Sequence, residues 1–151
     1  MRGGHYEEAL VEARKSLELD PDFPISLAQL GSIYADMGMY EEAIEAHKKL
    51  ATIEPSRRFS LGWTYARAGR KDEALKIVAE LEKEEATPFR AYGLARLYAA
   101  LGEKDEAFRW LAYEPHSIFL PWIRTNPVFK PMRDDPRFKE LLRMMNLPEP
   151  E

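Results

Sequence analysis

Three histidines, His5, His47 and His116, are the residues best suited to metal ligation or proton transfer, and they stand far apart in the chain. A zinc-binding helix would carry two of them in an H-E-x-x-H run, and no such spacing occurs. The carboxylate pairs Glu7-Glu8, Glu41-Glu42 and Asp72-Glu73 are the other acid–base candidates. Each is expected at the start of a helix, where a negative charge offsets the positive end of the helix dipole, so their spacing assigns them to structure. Cysteine is absent, which removes thiolate nucleophiles, disulfides and thiolate metal sites. No Gly-rich loop is present to cradle a phosphate. The residues therefore predict no catalytic group, no metal and no cofactor.

What carries information is apolar spacing. Leu27, Leu30, Gly31 and Tyr34 fall at i, i+3, i+4 and i+7 and share one face of a helix. Gly38 ends that helix, and Glu41-Glu42 open a second one. Ala43, His47 and Leu50 line the face of the second helix, and Pro55 stops it. Gly31 and Ala43 are small where the two faces meet, and a bulkier residue there would overpack the crossing by roughly 1–3 kcal/mol.

The order Leu27, Leu30-Gly31, Tyr34, Gly38, Ala43, Leu50, Pro55 resembles a tetratricopeptide repeat, whose period of about 34 residues is one helix-turn-helix unit. The family usually has an apolar or aromatic residue where this chain has His47. Leu61-Gly62, Tyr65, Gly69, Ala74 and Leu81 repeat the pattern, as do Leu94-Ala95, Tyr98, Gly102, Ala107 and Leu111. Gly38 to Gly69 is three residues shorter than a standard repeat, a deficit expected to fall on the loop Ser56–Phe59 and the start of the following helix.

Gly4, Ala9, Ala13 and Pro21 match the second half of a repeat with no first half before them. Two readings are open: a C-terminal part of a longer array, or an unpaired capping helix. Apolar Leu10, Leu17 and Leu19 favour the first, because solenoid ends carry polar caps. The predicted organisation is a half-repeat over 1–22, three repeats over 23–114 and a C-terminal extension over 115–151. The fold class is all-α, and the resemblance implies a right-handed superhelix closed by a capping helix.

Pro115, Pro121, Pro127, Pro131 and Pro136 cut the extension into short pieces. Ser117 to Ile123 reads as one helical turn with Phe119, Leu120 and Trp122 facing inward. Pro136 to Met145 reads as the capping helix, capped by Asp135, with Phe138, Leu141, Leu142 and Met145 on one face. Trp110, His116, Phe119, Trp122 and Phe129 are expected to hold the extension onto the last repeat. A second reading lays the extension over the binding groove as an internal pseudo-ligand. Asn126-Pro127, Phe129, Met132-Arg133, Asp135-Pro136-Arg137-Phe138 and Leu141-Leu142 resemble the segment that closes tetratricopeptide arrays in bacterial multidomain regulators. Those arrays follow winged-helix, protein-kinase or nucleotide-cyclase domains, so the resemblance implies a preceding portion of that kind.

Charge limits the partners. Residues 1–55 carry 5 Lys/Arg against 11 Asp/Glu, and residues 56–151 carry 17 against 15, for an overall −4. Neither part supplies the basic stripe of a nucleic-acid binder. No apolar run approaches a membrane span and no signal-peptide core opens the chain, which points to a cytoplasmic location.

The family's ligand-binding positions map onto Gln29, Ser32 and Asp36, then Phe59, Ser60, Trp63 and Arg67, then Tyr92, Arg96 and Ala99. The resemblance implies a protein or peptide partner on this face, with aromatic and arginine anchors. The alternative is that Phe59 and Trp63 pack against a neighbouring repeat or the extension. Ala28, Gln29, Ser32, Ser56 and Ser60 stand where chaperone-binding relatives need Lys and Asn, so chaperone-tail binding is not expected. A different class of function is self-association, with Leu10, Ala13 and Leu17 exposed by the missing half-repeat and paired across a homodimer.

Overall fold

The computed structural model describes residues 3–113 and 120–148. Among these residues all regular structure is helical, with α1 Gly3–Leu19, α2 Pro24–Asp36, α3 Tyr40–Ile53, α4 Phe59–Arg67, α5 Lys71–Glu82, α6 Pro88–Ala100, α7 Lys104–Leu111 and α8 Pro136–Met144. Short 3-10 helices lie at Pro55–Arg57, Leu120–Arg124 and Pro127–Met132. Contacts divide the chain into two compact units, Met1–Ile77 and Val78–Glu151, parting within α5.

The turns between paired helices are built by one device. Gly38, Gly69 and Gly102 have φ of 77°, 77° and 78°. At each, the N–H of the residue after the glycine turns back to close the helix: Met39 to Tyr34 O, Arg70 to Tyr65 O and Glu103 to Tyr98 O, at 2.8–2.9 Å. Left-handed backbone is nearly free for glycine, and this bond satisfies a carbonyl that the helix end leaves open. Asn146, at φ 55°, ends α8 in the same way, with Leu147 N–H donating to Leu142 O at 2.9 Å.

Helix starts show a second device. Thr87-Pro88, Asn126-Pro127 and Asp135-Pro136 each place a side-chain acceptor at the cap and proline at the first helical position. The shortened repeat is resolved as expected: α4 spans 9 residues where α2 and α6 span 13, and the Pro55–Arg57 turn replaces the start of the helix. Asp72 and Glu73 open α5, and Glu41 and Glu42 open α3. Glu7 and Glu8 do not open α1, because that helix begins at Gly3.

In the first unit α1 packs on α2, α2 on α3, and α3 on α4. Leu27, Gly31, Tyr34, Ala43, Ile44, His47 and Leu50 are buried between them. Fully burying a leucine such as Leu27 or Leu50 contributes about 1.5–3 kcal/mol. Gly31 is small for a specific reason: a Cβ there would stand 2.3 Å from Nε2 of His47. The imidazole, and not Ala43, is what the helix backbone makes room for.

The half-repeat differs from expectation. Leu10 and Ala13 are buried and Leu17 is half-buried, because α1 turns this stripe inward onto α2. Arg14 donates to Tyr34 Oη at 2.8 Å and Ser26 to Ser16 at 2.7 Å, fixing the same face. The apolar residues that α1 exposes are Val11 and Leu19.

In the second unit α6 packs on α7, α7 on α8, and the Pro127–Met132 turn on α6. Phe138, Leu141 and Leu142 are buried, Met145 is half-buried, and Asp135 accepts from Arg137 N–H at 2.9 Å, as the capping-helix reading requires. Trp122 departs from expectation: it is 58% exposed while Ile123 is fully buried. The turn spans Leu120–Arg124 and its phase is set by Ile123 facing the core. His116, Ser117 and Phe119 lie outside the described residues, as does the side chain of Leu120.

Candidate interaction surface

Equivalent positions on α2 and α4 bring part of the expected surface together in the first unit. Gln29 and Asp36 are exposed, and Ser32, Ser60 and Arg67 are half-buried. Arg67 is one turn beyond Trp63 on α4, so its guanidinium lies over the indole with 4.9 Å between Cζ and the ring centroid. The same guanidinium pairs with Asp36 on α2, Nη1 to Oδ1 at 2.5 Å. A stacked, ion-paired arginine is held in one orientation, and its planar fork has five N–H donors, more than one carboxylate consumes.

Two expected anchors are core residues instead. Phe59 is 5% exposed and Trp63 9%. Phe59 opens the shortened α4 and turns its ring inward, while Trp63 meets His47 edge-on at 6.4 Å. Trp63 therefore acts as the floor under Arg67 and presents little of itself to a partner.

Below this surface lies a polar contact that spacing did not reveal. His47 Nδ1 is 2.7 Å from Thr64 Oγ1, and both residues are buried. Thr64 Oγ1 also lies 3.0 Å from Ser60 O, and His47 Nε2 lies 3.4 Å from Ala28 O, so the imidazole meets α4 through one ring nitrogen and α2 through the other. The structurally equivalent positions to His47 hold Ala13, Val78 and Leu111. The departure of His47 from the repeat pattern was the signal that a partner had to exist.

In the second unit Tyr92 and Arg96 share α6 but not an open face. Tyr92 is buried under the extension: Trp122 meets its ring at 6.4 Å, Phe129 at 6.0 Å, and Asn126 Nδ2 donates to its hydroxyl at 3.3 Å. Burial pushes the Tyr92 hydroxyl pKa up. Arg96, 6.0 Å from that ring and half-buried like Ala99, has its pKa pushed down by burial. Tyr92 is thus a docking point for the chain's own extension, which explains why Phe129 is fully buried.

Repeat tyrosines also bind preceding helices. Tyr34 receives Arg14 from α1, and Tyr98 donates to Glu82 on α5 at 2.6 Å. Burial first, and then that hydrogen bond, raise the Tyr98 pKa. Among the described residues no three His, Asp or Glu side chains gather as a metal site, and no helix is long and apolar enough to cross a membrane.

Paired helices, left-handed glycine turns and small residues at helix crossings define an all-α helical-repeat protein. Sequence profiles of the tetratricopeptide repeat match residues 12–45, 55–80 and 88–112, and the chain belongs to that family. A stretch of 53 residues is 32% identical to Small glutamine-rich tetratricopeptide repeat-containing protein 2 of Mycosarcoma maydis, covering 35% of this chain and 15% of that protein. Another of 83 residues is 32% identical to Protein O-mannosyl-transferase TMTC1 of Homo sapiens, covering 53% of this chain and 8% of that protein. The chain thus spans a small part of either relative's length. The family makes it a protein–protein interaction module.

Proposed function

We propose that the α2–α4 face binds a peptide or a partner domain through Gln29, Ser32, Asp36 and Arg67. The observation that carries this reading is Arg67, stacked on Trp63 and paired with Asp36, with N–H donors beyond those the pair consumes. Arginine on an aromatic floor is the composition that dominates interface energetics. Binding uses surface burial and hydrogen bonds to backbone carbonyls of the ligand, with no bond-making step. The module serves as the sensing or scaffolding end of a longer regulator of bacterial type, in the cytoplasm. The resemblance of residues 126–142 to the segments that close tetratricopeptide arrays in bacterial multidomain regulators supports that placement.

A random peptide library selected on the purified chain tests the reading. Selected peptides should lose roughly tenfold or more in affinity on Arg67→Ala, a typical effect of removing an anchor. Affinity unchanged by both Arg67→Ala and Gln29→Ala would refute it. Self-association is the second reading, now on the exposed Val11 and Leu19 of α1 in place of Leu10 and Ala13.

A further inference from the structure

Asp36 and Arg67 are the last residues of α2 and α4, each two positions before the glycine that turns the chain. The same position of α6 holds Ala100, so closing the helix requires no charge there. For Asp36 the position is unfavourable, because a carboxylate opposes the negative end of the helix dipole. What accounts for the acid is its contact across the two helices. Arg67 Nη1 donates to Asp36 Oδ1 at 2.5 Å, and among the described residues this is the one hydrogen bond that either side chain makes. The pair therefore keeps Oδ2 of Asp36 as an acceptor and Nε and Nη2 of Arg67 as donors, on side chains 42% and 31% exposed. Trp63 lies against the guanidinium, 4.9 Å from Cζ to the ring centroid, so the remaining donors act in the guanidinium plane. Of Gln29, Ser32, Asp36, Ser60, Trp63 and Arg67, only the joined pair is charged, and its charges cancel.

We propose that the Asp36–Arg67 pair reads a primary carboxamide, the side chain of an asparagine or glutamine in the partner segment; this rests on the α2–α4 face being the binding surface. A carboxamide is planar and neutral, and it offers a carbonyl acceptor and an N–H donor side by side. It accepts from Arg67 and donates to Asp36 while the pair's own hydrogen bond stays closed. A ligand carboxylate has no donor for Asp36 and meets its like charge at close range. A ligand ammonium or guanidinium has no acceptor for Arg67 and is repelled by it. A main-chain amide is trans, with C=O and N–H pointing to opposite sides, so a single one does not reach both partners.

The test is fluorescence anisotropy with labelled peptides selected from the random library on the purified chain. Selected peptides should share an asparagine or glutamine, and its replacement by glutamate, lysine or alanine should each cost roughly tenfold or more in affinity. Asp36→Ala and Arg67→Ala should both weaken binding, and Asp36→Asn, which keeps a carbonyl acceptor, should bind better than Asp36→Ala. Both positions are partly exposed, and circular dichroism establishes that the variants are folded. The sign of the Asp36→Ala effect separates the occupants. Peptides that need Arg67 but carry an acidic residue, and that bind more tightly to Asp36→Ala, would overturn the carboxamide proposal and leave the α2–α4 surface standing. So would peptides that need Arg67 and tolerate alanine in place of the carboxamide residue, since they would be read through their main chain. Peptides indifferent to both Arg67→Ala and Gln29→Ala would overturn the surface itself, and the proposal with it.

Discussion

Thr64 and His47 show what one polar pair does inside a repeat stack. Each replaces an apolar residue found at equivalent positions, Ile33 and Leu97 for Thr64, and Ala13, Val78 and Leu111 for His47. Their 2.7 Å hydrogen bond ties α3 to α4, and the imidazole fills the space that Gly31 leaves on α2. Removing one partner strands the polar atom of the other in a dry place, at about 1–3 kcal/mol, whereas removing both is milder. His47→Leu and Thr64→Val should therefore each destabilise the chain in urea titrations, and the double variant should cost less than their sum. Strict additivity would mean the pair is not coupled. The unusual residue was legible in the sequence as a departure at His47, but its partner was not. Threonine within a helix can face solvent, bond its own backbone or face a neighbour, and only the packing of α4 decides among these.

At the scale of helices and turns, spacing is a good guide wherever one residue type is physically required. Positive φ favours glycine or asparagine, so Gly38, Gly69 and Gly102 mark the turns by residue type and spacing alone. A polar cap followed by proline marks the starts of α6 and α8. Spacing fails where burial depends on what lies opposite. The apolar stripe of α1 is visible in the sequence, but a stripe does not say which neighbour covers it, and Leu10 and Ala13 face α2. Phe59 and Trp63 read as anchors for the same reason, and Trp122 exchanges places with Ile123 because a short turn takes its phase from the surface beneath. The cap of α8 gives a pH test. Hydrogen bonds from the Arg137 side chain and backbone lower the Asp135 pKa from 3.8 to about 2. A carboxylate with a depressed folded pKa stabilises the fold above its unfolded pKa, and that contribution fades as pH falls from near 4 through 2. Asp135→Asn keeps the capping acceptor and removes the charge. The melting temperature of the native chain should exceed that of Asp135→Asn near neutrality, and the gap should close between about pH 4 and 2. A gap independent of pH would refute the assignment.

For the molecule as a whole, the repeat pattern identifies an interaction module, and the remaining question is which surface it uses. The burial of Leu10 changes the expectation for self-association. Leu10→Glu places a charge in the core and should unfold or strongly destabilise the first unit. Leu19, 90% exposed, should accept glutamate within about 0.5 kcal/mol, as surface positions do. If the chain self-associates through α1, Leu19→Glu should lower its mass in light scattering while the helicity stays the same; an unchanged oligomeric mass would exclude that contact. The central claim, however, concerns Arg67 and its surroundings. Fold and family were legible in the sequence, and so was the helix face to which Gln29, Ser32, Asp36 and Arg67 belong. The stacking of Arg67 on Trp63 and its pairing with Asp36 were not, since the pairing joins residues 31 positions apart. The most direct measurement is an amide chemical-shift map of the isotope-labelled chain titrated with a library-selected peptide. Perturbations concentrated at Gln29, Ser32, Asp36 and Arg67, and lost in Arg67→Ala, are the predicted result. Perturbations confined to α3 and α5, with α2 and α4 silent, would contradict it.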